Sequence, residues 1–437
     1  MDILLLSRIQ FSLTIMFHYI YPPLSIGLGV IILIMESMYM LSQNPLYHQM
    51  TKFWVKIFGL IFVMGVATGI VMEFEFGTNW STYSRYVGDV FGSPLAAEGV
   101  FAFFLESGFL AVLLFGWDKV SPLMYWLSAL LVCLGAHLSA VWIVVANSWM
   151  QTPAGYHIVG EGMHQRAEIT DFWAMVFNPS SIQRLSHVLS AAWITGAFLV
   201  LSISAYYLLK KRHMEFAKVS MKVALSVALI AAVGQLLTGR ISAEVVAALQ
   251  PTKLAAMEGH FAANAPADFY PLGIVDEKNS QMVGPKIRGL VSSLMYGNFN
   301  TPVRGLESFR KEDRPPVAIT FYAYHLMIII GILLTALVGI GFVLLALGRL
   351  SDAKWYLTIL VPSVLLPQFA NQLGWITAEV GRQPWIVYGL LRTSDGLSRV
   401  IKAGAVWTSL IMFTVIYLLL FVLFIFLLDQ KIKNGPK

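Results

Sequence analysis

Residues 318–348 read AITFYAYHLMIIIGILLTALVGIGFVLLALG, a run without Asp, Glu, Lys or Arg and with one imidazole, His325. Such a run has no face suited to water, and it is long enough to cross a bilayer core, for which about 20 helical residues suffice. Moving outward along the chain, comparable apolar stretches lie at roughly 12–41, 54–74, 95–115, 123–147, 184–209, 217–238, 356–378 and 404–428. Each is expected to be a helix, because a segment inside lipid must satisfy its own backbone polar groups. The first is not a cleavable signal peptide: no basic region precedes it, it is too long, and His18 and Glu36 interrupt it.

Composition agrees with that reading. Of the 437 residues, 57% are hydrophobic and only 12% charged, against about 25% charged in a soluble domain. Too few charges remain to clothe a water-facing exterior, so soluble enzymes are excluded, and so is a disordered chain. The one cysteine, Cys133, rules out an intrachain disulfide and a thiolate metal cluster. P-loop, dinucleotide-binding and zinc-protease patterns are absent, and no internal repeat supports an inverted-repeat transporter.

The expected fold is an all-α polytopic membrane protein of about nine transmembrane helices. Helices one to six fall within 1–238 and helices seven to nine within 318–437. The interval 239–317, mixed in charge and rich in Gly and Pro, is the one long polar segment and forms an outer loop. Lys210, Lys211, Arg212 and Lys431 lead an excess of basic residues on the side of the C-terminus. That bias predicts the N-terminus outside and the C-terminus inside. The net charge of +6 follows from this topology, and no basic stripe points to nucleic acid.

Ionisable groups at bilayer depth are costly, so each needs a partner or a role. The candidates are His18, Glu36, Glu73, Glu98, Glu106, His137, His187, His325 and Glu379. In the expected topology His18, Glu98, His187, His325 and Met327 lie within three turns of the outer side, and Glu379 ends helix eight there. Imidazole, carboxylate and thioether groups at one level form a cofactor layer, and His and Met within a helical bundle suit haem iron. The plainer alternative stands for each alone: a hydrogen-bonded core histidine, a methionine filling a gap, or a Glu36 that snorkels. Glu98 and Glu106, eight residues apart, sit about 12 Å apart along one helix. They are either a carboxylate ladder for protons or a pair kept neutral by hydrogen bonds.

Longer strings are more specific. GTNWSTYSRYVGDVFGSPLAAEGVFAFFLESGF (Gly77–Phe109), Gly374-Trp375 with AEVGRQPW (Ala378–Trp385), SRIQFSLTIMFHYIYPPL (Ser7–Leu24), WIVVANSWMQ (142–151) and TKLAAMEGHF (252–261) are spread along the chain. Together they resemble subunit I of cytochrome bd-type quinol oxidases, in its short quinol-loop form, over nearly the whole chain. The resemblance implies a terminal respiratory oxidase of a prokaryotic cytoplasmic (inner) membrane. Such an enzyme oxidises quinol on the outer side and reduces dioxygen to water, with protons drawn from the cytoplasm.

It also implies two haems b and a haem d, or a third b-type haem, held within the bundle. By position His187 and Met327 match the axial ligands of the low-spin haem b, and His18 and Glu379 match the single ligands of the two high-spin haems. Glu98 and Glu106 match the proton-uptake pair, and Trp375 the aromatic between haems. Arg382 and Arg8 match propionate contacts, and Lys253 and Glu258 the quinol-binding pair. The partners implied are subunit II, one or more single-span subunits, quinol, dioxygen and membrane lipid, with no nucleic acid. The chain departs from the family pattern in two places. His325 stands two residues before Met327, where Arg is frequent, which makes it a rival ligand. Ala136-His137 replaces a polar pair in helix four. The competing readings are a haem protein or transporter of this fold that does not reduce oxygen, and a bb-type oxidase.

Overall fold

The computed structural model describes residues 2–436. Helices α1 (Ile3–His18) and α2 (Pro22–Ser42) together make the first crossing. They are separated by a short break, because Pro22 and Pro23 supply no N–H to continue the ladder. Next comes α3 (Pro45–Thr78), started by the Asn44 side chain, which accepts the Leu46 N–H at 3.0 Å, with Pro45 at the first helical position. Short α4 (Ser81–Tyr86) turns the chain into α5 (Gly88–Ala97), which passes through a π-helical segment, Glu98–Phe103, into α6 (Phe104–Phe115).

Helix α7 (Pro122–Gln151) returns to the other end, where a hairpin pairs Tyr156–Val159 with Arg166–Ile169 ahead of α8 (Phe172–Val176). Then α9 (Ser181–Leu209) and α10 (Met214–Leu249) form a long antiparallel pair. A cap of short elements follows, including α11 (Pro251–Met257) and α12 (Leu290–Tyr296). The chain re-enters the bundle as α13 (Val317–Ala346), α14 (Lys354–Leu360), α15 (Leu365–Val380) and α16 (Ala403–Asn434).

Among the described residues eight helical spans are long and apolar enough to cross a membrane. The remaining expected stretch, 356–378, is helical but divided between α14 and α15, with Pro362 opening the turn between them. Its second half, α15, has 16 residues and carries Gln368, Asn371, Gln372 and Glu379, so it is neither long nor uniformly apolar. Helix α10 also continues past residue 238 to Leu249, aided by an Arg240–Glu244 pair at 3.0 Å one turn apart. The polar interval therefore begins at Gln250.

Helix α2 packs against α3, α7 and α9. Gly27 and Gly196 meet where α2 crosses α9, and a Cβ on either would collide with the other's backbone. Close approach at small residues is how helices pack in lipid, where burial of apolar surface gives no driving force between them. The α9–α10 turn holds the end of α16: the Tyr207 hydroxyl donates to Ile432 O at 2.7 Å, and Arg212 to Lys433 O at 2.8 Å. The basic cluster Lys210–Arg212 and the C-terminal lysines thus share one end of the bundle. The cap and the hairpin lie at the other.

Candidate functional site

The two expected imidazole ligands are held in the same way. On α9, His187 Nδ1 lies 3.1 Å from Thr238 Oγ1 of α10, and that hydroxyl lies 2.8 Å from Gly234 O of its own helix. A hydroxyl has one hydrogen, and the carbonyl takes it, so Thr238 must accept the Nδ1 hydrogen of His187. Nε2 then carries the lone pair, and the Gln235 amide donates to it at 2.9 Å. His18 repeats the arrangement: Nδ1 is 3.0 Å from Thr68 Oγ1, which donates to Met64 O at 2.8 Å. A glycine follows each threonine and lies under the ring. A Cβ on Gly69 would stand 3.2 Å from His18 Cε1, and one on Gly239 3.5 Å from His187 Cε1. Fixing the tautomer through Nδ1 is what prepares Nε2 as a metal ligand. Neither Thr68 nor Thr238 was singled out in the sequence, although a Thr-Gly pair faces each ring.

Met327 faces α15. Its Sδ is 3.0 Å from where a Cβ on Gly374 would be, so the absent side chain leaves room for the thioether. His325, two residues away, points elsewhere. It is buried, stacks on Phe321 (centroids 3.9 Å) and Phe269 of the cap (5.5 Å), and gives its Nδ1 hydrogen to Phe321 O at 3.0 Å. Two residues turn a helix by about 200°, which separates the two side chains.

Glu379 ends α15 in a dense polar shell. Oε1 accepts from Asn147 Nδ2 at 3.0 Å and Gln151 Nε2 at 3.2 Å, and Oε2 pairs with Arg382. Arg184 donates in turn to Asn147 Oδ1. Arg382 Nη1 and Arg184 Nε are buried without a partner. Unpaired guanidinium donors beside a carboxylate are what a second anionic group, such as a propionate, would satisfy. Trp375 lies one turn before Glu379, half-buried, and Arg8 is half-buried on α1. Asn147, Gln151 and Arg184 were missed because an amide or an arginine near a helix end is ordinary in sequence.

No cluster of His, Cys, Asp and Glu able to hold a bare metal ion occurs among the described residues. The candidate ligands come singly, from α1, α9, α13 and α15. Single axial ligands fit an iron already held by a macrocycle.

Glu98 and Glu106 face one strip of α7. Ser139 donates to Glu98 Oε1 at 2.6 Å, and a Cβ on Gly135 would meet Glu106 Cγ at 2.7 Å. In an unbroken α-helix, eight residues leave an angular offset of about 80°. The wider π segment between the two carboxyls lowers the rotation per residue and so reduces that offset. Of the other intramembrane candidates, His137 is fully partnered, through Cys133 O at 2.7 Å and Trp193 Nε1 at 3.0 Å. Glu36 is buried with neither oxygen hydrogen-bonded, which differs from a snorkelling carboxylate. Glu73 is exposed, whereas Glu75, not singled out in sequence, is buried and accepts from Thr14 at 2.7 Å.

Lys253 and Glu258 part company. Lys253 Nζ donates to Gln151 Oε1 at 2.8 Å and Gln250 Oε1 at 3.0 Å, pointing toward Glu379, and burial holds its ammonium well below the usual lysine range. Glu258 instead accepts from Tyr324, and burial pushes its carboxyl up to about 7. Its Oε2 is buried without a partner.

The family model for cytochrome bd terminal oxidase subunit I matches residues 6–436. The chain is 40% identical over 448 residues to cytochrome bd ubiquinol oxidase subunit 1 of Bacillus subtilis (strain 168), covering 100% of this chain and 95% of that protein. It is 34% identical over 502 residues to cytochrome bd-II ubiquinol oxidase subunit 1 of Escherichia coli (strain K12), covering 100% and 97%. The solved structure of bd oxidase from Geobacillus thermodenitrificans superposes with a TM-score of 0.91 at 29% identity, covering 100% of this chain and 99% of that one.

Proposed function

The chain belongs to the cytochrome bd terminal oxidase subunit I family, and from that membership we propose how its residues divide the work. It is a quinol oxidase subunit of a bacterial respiratory membrane, and oxidases of this family pair subunit I, the catalytic part, with a subunit II. His187 and Met327 would hold a low-spin haem b, and His18 and Glu379 would each hold a high-spin haem. Arg382, with Arg184 and Arg8, would neutralise propionates, and Trp375 would serve as the aromatic group near the haems.

When bound, the haem irons supply electron transfer and the site where dioxygen is reduced. The protein's own groups handle quinol and protons. Lys253 Nζ has two bonding directions filled by glutamine oxygens, which leaves a third for a quinol oxygen. Glu258, titrating near neutrality with one oxygen free, accepts a quinol proton. Glu106 and Glu98, along one strip of α7, hold protons on their way from the inner side. The orientation is N-terminus outside, in the cytoplasmic membrane, with small single-span subunits beside subunit II.

The observation that carries this reading is the pair of threonine-fixed imidazoles presenting Nε2. Its test is haem analysis and a reduced-minus-oxidised spectrum of the purified complex, together with quinol-driven oxygen uptake. His187→Ala should abolish the low-spin signal alone. A low-spin spectrum that survives intact rejects the ligand assignment.

A further inference from the structure

We propose that Gln151 is a positioning residue that couples the quinol contact Lys253 to the carboxylate of Glu379. The inference rests on the reading of Lys253 as a quinol contact. Gln151 is the last residue of α7 and is 1% exposed. It joins three elements whose sequence positions are far apart. Its Oε1 accepts from Lys253 Nζ at 2.8 Å and from Gln250 Nε2 at 3.0 Å. Its Nε2 donates to Glu379 Oε1 at 3.2 Å and to Ala378 O at 3.2 Å. Gln250 closes the arrangement by accepting from Lys253 Nζ at 3.0 Å and donating to Gln151 O at 3.0 Å.

Only one orientation of the Gln151 amide works. An amide is planar, with an acceptor on one side and donors on the other. Turned over, it would set its NH2 against the donors of Lys253 and Gln250, and its oxygen against the Glu379 carboxylate. The two ends are therefore not independent. When a quinone oxygen draws on Lys253 Nζ, the bond from Nζ to Gln151 Oε1 weakens. The donation from the same amide to Glu379 changes with it, because hydrogen bonds in a buried chain polarise one another. Asn147 supplies a second donor to Glu379 Oε1, so the carboxylate keeps its place while its environment is tuned.

The test uses the purified, fully oxidised complex with its haems, to which an oxidised short-chain quinone is added without reductant, so that no turnover occurs. The parent should give a quinone-dependent difference spectrum in the haem bands. In Gln151→Met the amplitude should fall about five-fold or more, with haem content and the reduced low-spin spectrum retained and the KM for quinol shifted by less than that factor. Gln151→Asn, whose shorter amide reaches only one end, should behave likewise if the Met variant does not assemble. Full parental amplitude in the variant that assembles, or no quinone-dependent difference in the parent, overturns the coupling. A Lys253→Met complex with parental KM and parental difference spectrum overturns instead the reading of Lys253 as a quinol contact.

Discussion

At the scale of single residues, Thr68 and Thr238 matter more than their type suggests. Each gives its one hydroxyl hydrogen to its own helix and so accepts from an imidazole on another. Removing such a partner typically lowers metal-site affinity by about ten-fold or more. Thr238→Val keeps the shape and loses the acceptor, so the low-spin haem should be lost more readily, seen as a lower haem-to-protein ratio after detergent washing. Glu258 sets a pH dependence. Its carboxyl is protonated below about 7 and ionised above, and only the ionised form can accept a proton. The rate of quinol oxidation should therefore rise as pH increases through about 7, and Glu258→Gln should flatten that limb in a profile of kcat/KM.

The candidate ligands were legible in the sequence as ionisable or thioether groups within apolar runs. Their threonine partners were not, because a threonine in a spanning helix usually bonds only its own backbone. Glu75 was passed over for Glu73 because two residues on a helix face opposite ways, and which one faces inward depends on a phase the sequence does not state. That Lys253 and Glu258 point to different partners follows from the same geometry. Five residues on a helix are offset by about 140°.

Among the elements, the π segment Glu98–Phe103 is the one whose regularity would be harmful. Gly135 of α7 receives Glu106, whose Cγ a Cβ there would meet at 2.7 Å. Gly135→Ala should push Glu106 off α7. Misplacement by an ångström can reduce a rate up to about a hundred-fold. Oxygen uptake should fall steeply while haem content and the KM for quinol stay at parental values, as measured on purified complex. The spans were readable at this scale because apolar length is a sequence property. The division of 356–378 at Pro362 and the reach of α10 to Leu249 were not, since an apolar run does not say where a helix breaks or how far it continues beyond the run.

For the molecule as a whole, orientation is the property to check. Cys133 is buried, so the natural chain should be silent toward an impermeant maleimide. With the N-terminus outside, Lys278→Cys, exposed in the cap, should label in intact cells, and Lys211→Cys, exposed in the α9–α10 turn, should label only after the membrane is opened. The reverse pattern would invert the topology and the proposed proton route with it.

The candidate haem ligands and the quinol contacts crowd toward one end of the bundle, while the inner basic cluster lies at the other. Electrons passing between groups held at that end would move mostly parallel to the membrane plane and cross little of its voltage. Protons taking the proposed route past Glu106 to Glu98 would cross much of it. Each full crossing against 100 mV costs about 2.3 kcal/mol. On the proposed route, back-pressure from a charged membrane would fall on the Glu106–Glu98 leg, so an energised membrane should slow oxygen uptake at the step of proton delivery.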